Sequence, residues 1–200
     1  DEESNRKLRE YVEAGGTLVL TMRCGIKDMN NLCIPDLPLP AGLSDLAGLE
    51  VDEYDCLRDT KNTVIMDGTA YPCCHWCDIM HPEGAETVAV YGEAFYQGTP
   101  AILKHTYGKG TVWYVGTEMS DALADAFLRK IAPECGLCAP VCASPGLEIT
   151  PRRKDGETWL FVLNHTDEEK SIQVPEGFQC IFGEDHPSVR PLEGRIYHKA

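Results

Sequence analysis

The first residues of the chain combine an amphipathic pattern with a continuous apolar run. Leu8, Tyr11 and Val12 stand at positions i, i+3 and i+4, and this apolar stripe predicts a helix over residues 4–16. Residues 17–22 follow as an unbroken run of β-forming residues. A strand without alternation is typical of a parallel sheet that is covered on both faces. The pattern therefore predicts one helix and one buried strand of an α/β domain.

Further apolar runs, up to about residue 140, predict more elements of the same domain. Strands are expected over residues 51–57, 63–66, 87–91, 101–105 and 111–116. A helical turn is expected over residues 44–49, and a helix over residues 121–131 places its apolar side chains on one face. Two stretches lack periodicity and are predicted as loops: residues 23–40, rich in Gly, Asn and Pro, and residues 71–82, rich in Cys and His.

A break in the pattern divides the chain into two domains. Residues 133–145 are rich in Pro, Cys, Gly and Ala, and this composition indicates a linker. After it, short alternating runs separated by turn residues predict a small antiparallel β domain. We expect an α/β domain over residues 1–140 and a C-terminal antiparallel β domain over residues 143–200.

Composition and charge narrow the classes of function. The chain has 200 residues, of which 43% are hydrophobic and 25% charged, as in a typical globular protein. Its formal charge of −14 disfavours nucleic acid or an anionic membrane as a partner. No apolar run approaches the ~18 residues of a membrane span, and the chain opens on acidic residues without an initiator Met or a leader. We therefore expect a fragment of a longer cytoplasmic protein.

Ten cysteines are the unusual feature of the composition. The chain has enough apolar residues to build a core without disulfides, so free thiols in a reducing compartment are expected. Two groups of residues have the ligand types of a zinc site. They are Cys73, Cys74, His75, Cys77 and His81, and then Cys135, Cys138 and Cys142. The groups lie much farther apart than the two halves of a zinc ribbon, so we favour cysteines without metal.

Cys24 is a candidate nucleophile, because it follows the first predicted strand, where α/β folds place catalytic groups. A Cys-dependent amidotransferase or peptidase-like enzyme would also need a histidine, His81 or His105, and a carboxylate such as Glu118. However, a nucleophile elbow requires small residues around the nucleophile, and Thr, Met and Arg precede Cys24. Residue patterns alone thus assign no catalytic, cofactor-binding or metal-binding residue.

Three stretches carry distinctive motifs. Residues 8–31 contain LREYVEAGGTLVLT, RCGIKD and an Asn pair, residues 40–55 read PAGLSDLAGLEVDEYD, and residues 107–117 run from YGKG to YVGT. These stretches resemble the trimerisation domain of the glycoside hydrolase family 42 β-galactosidases. The segment after the linker is similar to the small C-terminal domain of that family. Together the resemblance covers nearly the whole chain, although Cys24 stands where a small polar residue is expected.

The resemblance implies both a fold and a mode of action. It implies a flavodoxin-like domain, similar to class I glutamine-amidotransferase domains and incomplete at its N-terminus, followed by the β domain. It also implies that the catalytic barrel, with the two glutamates of a retaining glycosidase, lies upstream, so no catalytic residue is carried over. The implied partners are two further copies of the chain, in a homotrimer, and a galactoside bound through the missing barrel. Residues 23–40 and 71–82 are the candidate subunit contacts.

The leading interpretation is therefore a non-catalytic oligomerisation portion of a β-galactosidase, inactive alone. Its full chain would hydrolyse terminal β-D-galactosyl residues by a retaining mechanism in carbohydrate metabolism. Two alternatives from other classes stay open at this point. One is an amidotransferase or peptidase-like enzyme that uses Cys24, and the other is a zinc-stabilised binding module.

Overall fold

The computed structural model describes residues 1–139 and 141–200, which form two compact units, Asp1–Cys135 and Gly136–Ala200. The first unit begins with helix α1, Glu2–Glu13, which Asp1 caps by accepting a hydrogen bond from the Ser4 amide at 2.7 Å. The helix therefore starts before Ser4, the residue that the sequence pattern places at its beginning. None of the described helices is long and apolar enough to cross a membrane.

The other elements of the first unit are mostly strands. In chain order they are β1 (Thr17–Thr21), α2 (Ser44–Ala47), β2 (Leu49–Met66), β3 (Thr69–Pro82), β4 (Glu86–Tyr91), β5 (Pro100–Tyr107), β6 (Gly110–Val115), β7 (Thr117–Met119) and α3 (Asp121–Ile131). The strands form one sheet of seven, in the order β1-β6-β5-β4-β2-β3-β7. Strand β1 thus lies at one edge of the sheet and β7 at the other.

The flavodoxin-like prediction for this unit is wrong. A flavodoxin-like sheet is parallel, and helices cross over between its strands. Here β1 and β6 form the only parallel pair among the described strands, and the other neighbours run antiparallel. The described chain as a whole is 48% strand and 14% helix. The apolar run in β1 misled the prediction, because only Leu20 of that strand is buried and β1 is an edge strand.

The first unit has a long hairpin of β2 and β3 where a flavodoxin-like fold would have crossover helices. Its turn lies at Asp67 and Gly68, which have φ values of 50° and 78°. The prediction of a loop over residues 71–82 is therefore also wrong, since this stretch lies within β3. Its period of two is hidden because the register shifts three times, between Val51 and Glu53 and between Leu57 and Asn62 of β2, and between Cys74 and Cys77 of β3.

The sheet buries apolar side chains on both faces. Strand β6 alternates between the two cores, with Trp113 and Val115 on one side and Val112 and Tyr114 on the other. Helix α3 packs on the first side through three buried side chains, Leu123, Phe127 and Ile131. Helices α1 and α2 contribute Val12 and Leu46 to the other. The sheet therefore lies between α3 on one face and α1 and α2 on the other.

The second unit consists of short antiparallel strands. They are β8 (Cys142–Ala143), β9 (Leu147–Lys154), β10 (Glu157–Asn164), β11 (Lys170–Gln173), β12 (Gln179–Phe182), β13 (Ser188–Val189) and β14 (Gly194–Lys199). Four of them form a sheet in the order β12-β14-β10-β9, and three form a sheet in the order β13-β11-β8. The pairs in both sheets are antiparallel. Leu160, Val162 and Tyr197 lie in their common core.

One guanidinium is buried in this second unit. Arg195 is 1% exposed, and it donates to both carboxylate oxygens of Glu193, at 2.9 and 3.0 Å. Its terminal nitrogens also donate to the backbone carbonyls of His186 and Ser188. Hydrogen bonding to Arg195 lowers the pKa of Glu193 to about 2. The buried charge is thus matched by an adjacent carboxylate and by two carbonyl dipoles.

Candidate functional site

The turn after β1 is attached to the long hairpin by a buried carboxylate. Asp78 in β3 is 2% exposed, and its Oδ2 accepts hydrogen bonds from the Arg23 amide at 3.1 Å and the Tyr114 hydroxyl at 2.9 Å. Burial is the main influence on this carboxyl and raises its pKa, although the two donors partly oppose that change. Asp78 therefore joins β1, β3 and β6 at one point.

Arg23 places its guanidinium against aromatic rings of the hairpin. Its central carbon lies 4.0 Å from the centre of the Trp76 ring and 5.8 Å from that of Tyr54. The Tyr54 and Trp76 rings are stacked, with centres 5.2 Å apart and planes 23° from parallel. Arg23 also has a φ of 63°, which is unfavourable for a residue with a side chain. The bond to Asp78 and the aromatic contacts hold it in that conformation.

The loop over residues 23–40 starts from this fixed point and exposes large apolar side chains. Met29, Leu32 and Leu37 have exposed fractions of 76%, 62% and 53%. Asp28 orders the turn that carries them, because its Oδ1 accepts from the amides of Asn30 at 2.8 Å and Leu32 at 2.9 Å. A groove of about 700 Å³ separates the loop from α1. Such an exposed apolar group on an acidic protein is typical of an interaction surface.

The structure does not assemble a nucleophilic site at Cys24. Burial, followed by the nearby Asp78 carboxylate, raises the pKa of the Cys24 thiol, whereas a catalytic cysteine needs a lowered pKa. The proposed partners have other contacts. His105 meets the Leu46 carbonyl at 2.9 Å, His81 meets Glu83 at 3.5 Å, and Glu118 meets His75 at 3.0 Å. The Cys24 alternative is therefore unsupported.

The zinc alternative is unsupported as well. Across residues 1–139 and 141–200, no group of three or more His, Cys, Asp and Glu side chains is placed to hold a metal ion. Within the first cysteine group, Cys73 and Cys77 are buried against each other, with sulfur atoms 3.9 Å apart, while His75 is exposed and contacts Glu118. Because the two cysteines are buried and the histidine is exposed, the three side chains do not converge on one site.

Sequence reasoning missed the residues at the centre of this arrangement. Asp78 received no role of its own, and Arg23 was noted only as the residue before Cys24 and as the first residue of a motif and of the 23–40 loop. One signal was available, because Asp78 stands between a cysteine and an Ile-Met pair, in a stretch that is otherwise poor in charge. A charged residue that is surrounded by buried positions needs partners, and those partners come from strands far away in the sequence.

Comparisons with known proteins agree with the resemblance seen in the sequence. The family model of the β-galactosidase trimerisation domain matches residues 1–138, and that of the β-galactosidase C-terminal domain matches residues 146–196. β-Galactosidase BgaA of Clostridium cellulovorans is 35% identical over 174 residues, which are 86% of this chain and 26% of that protein. β-Galactosidase LacA of Lactobacillus acidophilus is 36% identical over 171 residues, covering 84% of this chain and 25% of that protein.

Solved structures show the same relationship. A β-galactosidase from Bacillus circulans sp. alkalophilus superposes with a TM-score of 0.90 at 25% identity, covering 98% of this chain and 31% of the other. Gan42B, a GH42 β-galactosidase, also gives 0.90, at 26% identity, and covers 100% of this chain and 30% of the other. The chain thus spans about a quarter of the length of the curated relatives it matches. It belongs to the glycoside hydrolase family 42 β-galactosidases, of which it comprises the trimerisation and C-terminal domains.

Proposed function

We propose that this chain holds three copies of a β-galactosidase together and takes no direct part in the chemistry. The observation that carries the proposal is the match of residues 1–138 to the β-galactosidase trimerisation domain. The whole protein would then hydrolyse terminal β-D-galactosyl residues by a retaining mechanism, as a homotrimer in the cytoplasm. The ten free thiols of the chain fit such a reducing compartment.

The buried carboxylate supports a structural role for this portion. Retaining hydrolysis needs two carboxyl groups about 5–5.5 Å apart that reach the substrate, one as nucleophile and one as acid and base. Asp78 is the one carboxylate among the described residues that is buried, and its Oδ2 accepts from two groups of the protein itself. It organises the fold, and we place the catalytic pair in a part of the relatives that this chain does not match.

The loop over residues 23–40 is the surface that we propose for subunit contact, together with the neighbouring Tyr54 and Trp76. Copies of a chain with a net charge of −14 repel each other, so burial of apolar area has to outweigh that repulsion. Met29, Leu32 and Leu37 supply such area on a turn that Asp28 and Asp78 keep in place. Because salt screens the repulsion, association is expected to strengthen with ionic strength.

Sedimentation of the purified chain tests the proposed contact. The wild type is expected to sediment as a trimer, and the double variant Met29→Ser, Leu32→Ser as a monomer at the same concentration. Leu192→Ser is the matched control, because Leu192 is also exposed, to 74%, but lies in the second unit. A wild type that stays monomeric at high concentration contradicts self-association, and a trimeric double variant contradicts this choice of surface.

An activity measurement separates the structural role from a catalytic one. The chain alone is expected to release no sugar from an aryl β-galactoside, even at micromolar protein and after hours of incubation. Hydrolysis by the isolated chain, lost on replacement of one of its own carboxylates, would show that it carries catalytic groups.

A further inference from the structure

Two cysteines that take no part in the proposed association are brought together by the irregular register of β3. Cys73 is paired with Met119 of β7, whereas Cys77 is paired with Thr117. Five residues of β3 therefore face three residues of β7, and the two extra residues bulge out around the exposed His75. The bulge draws the two ends together, so that the sulfur atoms lie 3.9 Å apart. In a regular strand, residues four apart are separated by about 13 Å.

The surroundings of the two thiols are unequal. The contact with Cys73 is the main cause that lowers the pKa of Cys77, and burial opposes that change. The same contact and burial raise the pKa of Cys73. Either sulfur can donate in this contact, and Cys77 is the thiol that loses its proton more readily. One reactive thiolate beside one protonated thiol is the arrangement of a redox-active pair.

We propose that Cys73 and Cys77 form a reversible disulfide when a small peroxide reaches them. The Cys77 thiolate attacks one oxygen of hydrogen peroxide, and the O–O bond breaks. Cys77 becomes a sulfenic acid, and the departing hydroxide takes up the proton that the Cys77 thiol lost and forms water. The Cys73 sulfur then gives up its proton, attacks the Cys77 sulfur and expels the hydroxyl group as water. In total, two thiols and one peroxide yield one disulfide and two waters, and a dithiol reductant reverses the oxidation.

Opening of the edge strand β7 is expected to control the access of peroxide to the two thiols. Cys73 is 6% exposed and Cys77 is fully buried. Their side chains belong to the apolar core on the α3 side of the sheet, and the strand that carries them pairs with β7, an edge strand of three residues. Short edge strands open more readily than central ones, so oxidation is expected to be slow and to track the opening of β7.

Trypsin provides a direct assay. Cleavage after Lys61 and Lys104 releases residues 62–104, which contain Cys73, Cys74 and Cys77 and none of the other cysteines. In the reduced chain, alkylation under denaturing conditions adds three groups to this peptide. After treatment of the folded chain with hydrogen peroxide, we expect one added group, on Cys74, and an unlabelled mass two hydrogens lower. Dithiothreitol is expected to restore three.

Single serine variants identify the partners. Cys74→Ser is the matched control and is expected to keep the disulfide, giving an oxidised peptide with no added group. Cys73→Ser is expected to lose it, leaving Cys77 open to overoxidation to sulfinic acid. Three alkylated cysteines after peroxide, a bond that joins Cys74 to Cys77, or sulfinic acid on Cys77 of the wild type would each overturn the proposal. These results come from the wild-type peptide first, so a poorly folding variant does not obscure them.

Discussion

Among the side chains that the structure describes, each of the two compact units buries one charged group, and the partners of the two groups differ. In the first unit, the Asp78 carboxylate accepts from an amide and a hydroxyl, which carry no charge. In the second, the Arg195 guanidinium faces the Glu193 carboxylate and two carbonyls. The pKa of Asp78 is raised by burial, whereas that of Glu193 is lowered by its partner. Neutral donors offset only part of the desolvation cost, and an opposite charge more than offsets it.

The two buried charges also differ in the sequence distance between the groups that they connect. Asp78, in β3, joins β6 and the turn after β1, which are distant in the sequence, and it fixes the start of the loop over residues 23–40. Arg195 joins residues 186–195, which are close in the sequence, into one compact turn. A weakly favourable buried group thus organises the proposed contact surface, and a strongly paired one stabilises a local connection. The following predictions test this contrast.

The largest effect is expected from Arg195→Met. The variant keeps the volume of the side chain but leaves the Glu193 carboxylate and two carbonyls without their donor. Breaking a buried ion pair from one side costs about 3–5 kcal/mol, so the second unit should lose that much free energy of unfolding. Hydrogen exchange followed by mass spectrometry measures it separately for peptides of each unit. Arg190→Met is the control, because Arg190 is exposed and should cost less than about 1 kcal/mol.

Acid should change the contributions of Glu193 and Asp78 to the free energies of unfolding of their units in opposite directions. Glu193 has a folded pKa of about 2, below the ordinary 4.5, so its contribution is present above pH 4.5 and is lost as pH falls toward 2. At most about 3 kcal/mol is involved. Asp78 has a raised pKa, so its contribution is present below the ordinary Asp pKa of 3.8 and is lost as pH rises through the folded value.

The measurement is the pH dependence of unfolding for each unit, with Glu193→Gln and Asp78→Asn as the matched variants. Each variant should remove the slope that belongs to its own unit and leave the other unit unchanged. A wild-type slope of the same sign in both units, removed by both variants, would contradict the contrast between the two carboxylates.

The smallest effect is expected at Asp78 itself. Asp78→Ala leaves the buried Tyr114 hydroxyl and the Arg23 amide without an acceptor, and should cost the first unit about 1–3 kcal/mol. Asp78→Asn keeps an oxygen for both donors and removes the charge, so it should cost much less. A result in which both variants destabilise the first unit equally would mean that the charge, and not the hydrogen bonds, holds the junction.

The local sequence pattern was sufficient to predict some features of the protein. The apolar face of residues 121–131 predicted α3, and the observed helix covers the same residues, because Ser120 caps it by accepting from the Leu123 amide. The motifs in residues 8–31 and 40–55 identified the family, which the comparisons confirm. These are signals that adjacent residues carry by themselves.

Strand direction and the junction depend on partners that local pattern does not reveal. The run in β1 is compatible with a parallel or an antiparallel neighbour, and the pairing with distant β6 decides between them. The cysteines and histidines of β3 concealed a strand, since bulges interrupt its alternation. Asp78 gains its role only from Tyr114 and Arg23, which lie 36 and 55 positions away in the sequence.

The pairing of β1 with β6 has a consequence for the order in which the chain assembles. Thr17 meets Thr111 across this pair, whereas β2 and β3 are joined by a two-residue turn. Closing a long loop costs more conformational entropy than closing a short one, so pairings close in sequence form first. During synthesis, α1 and β1 leave the ribosome before β6, and β1 can pair only once β6 has followed. The segment of α1 and β1 is therefore expected to be the last part of the first unit to acquire protection in refolding, and the part that a chaperone has most time to bind.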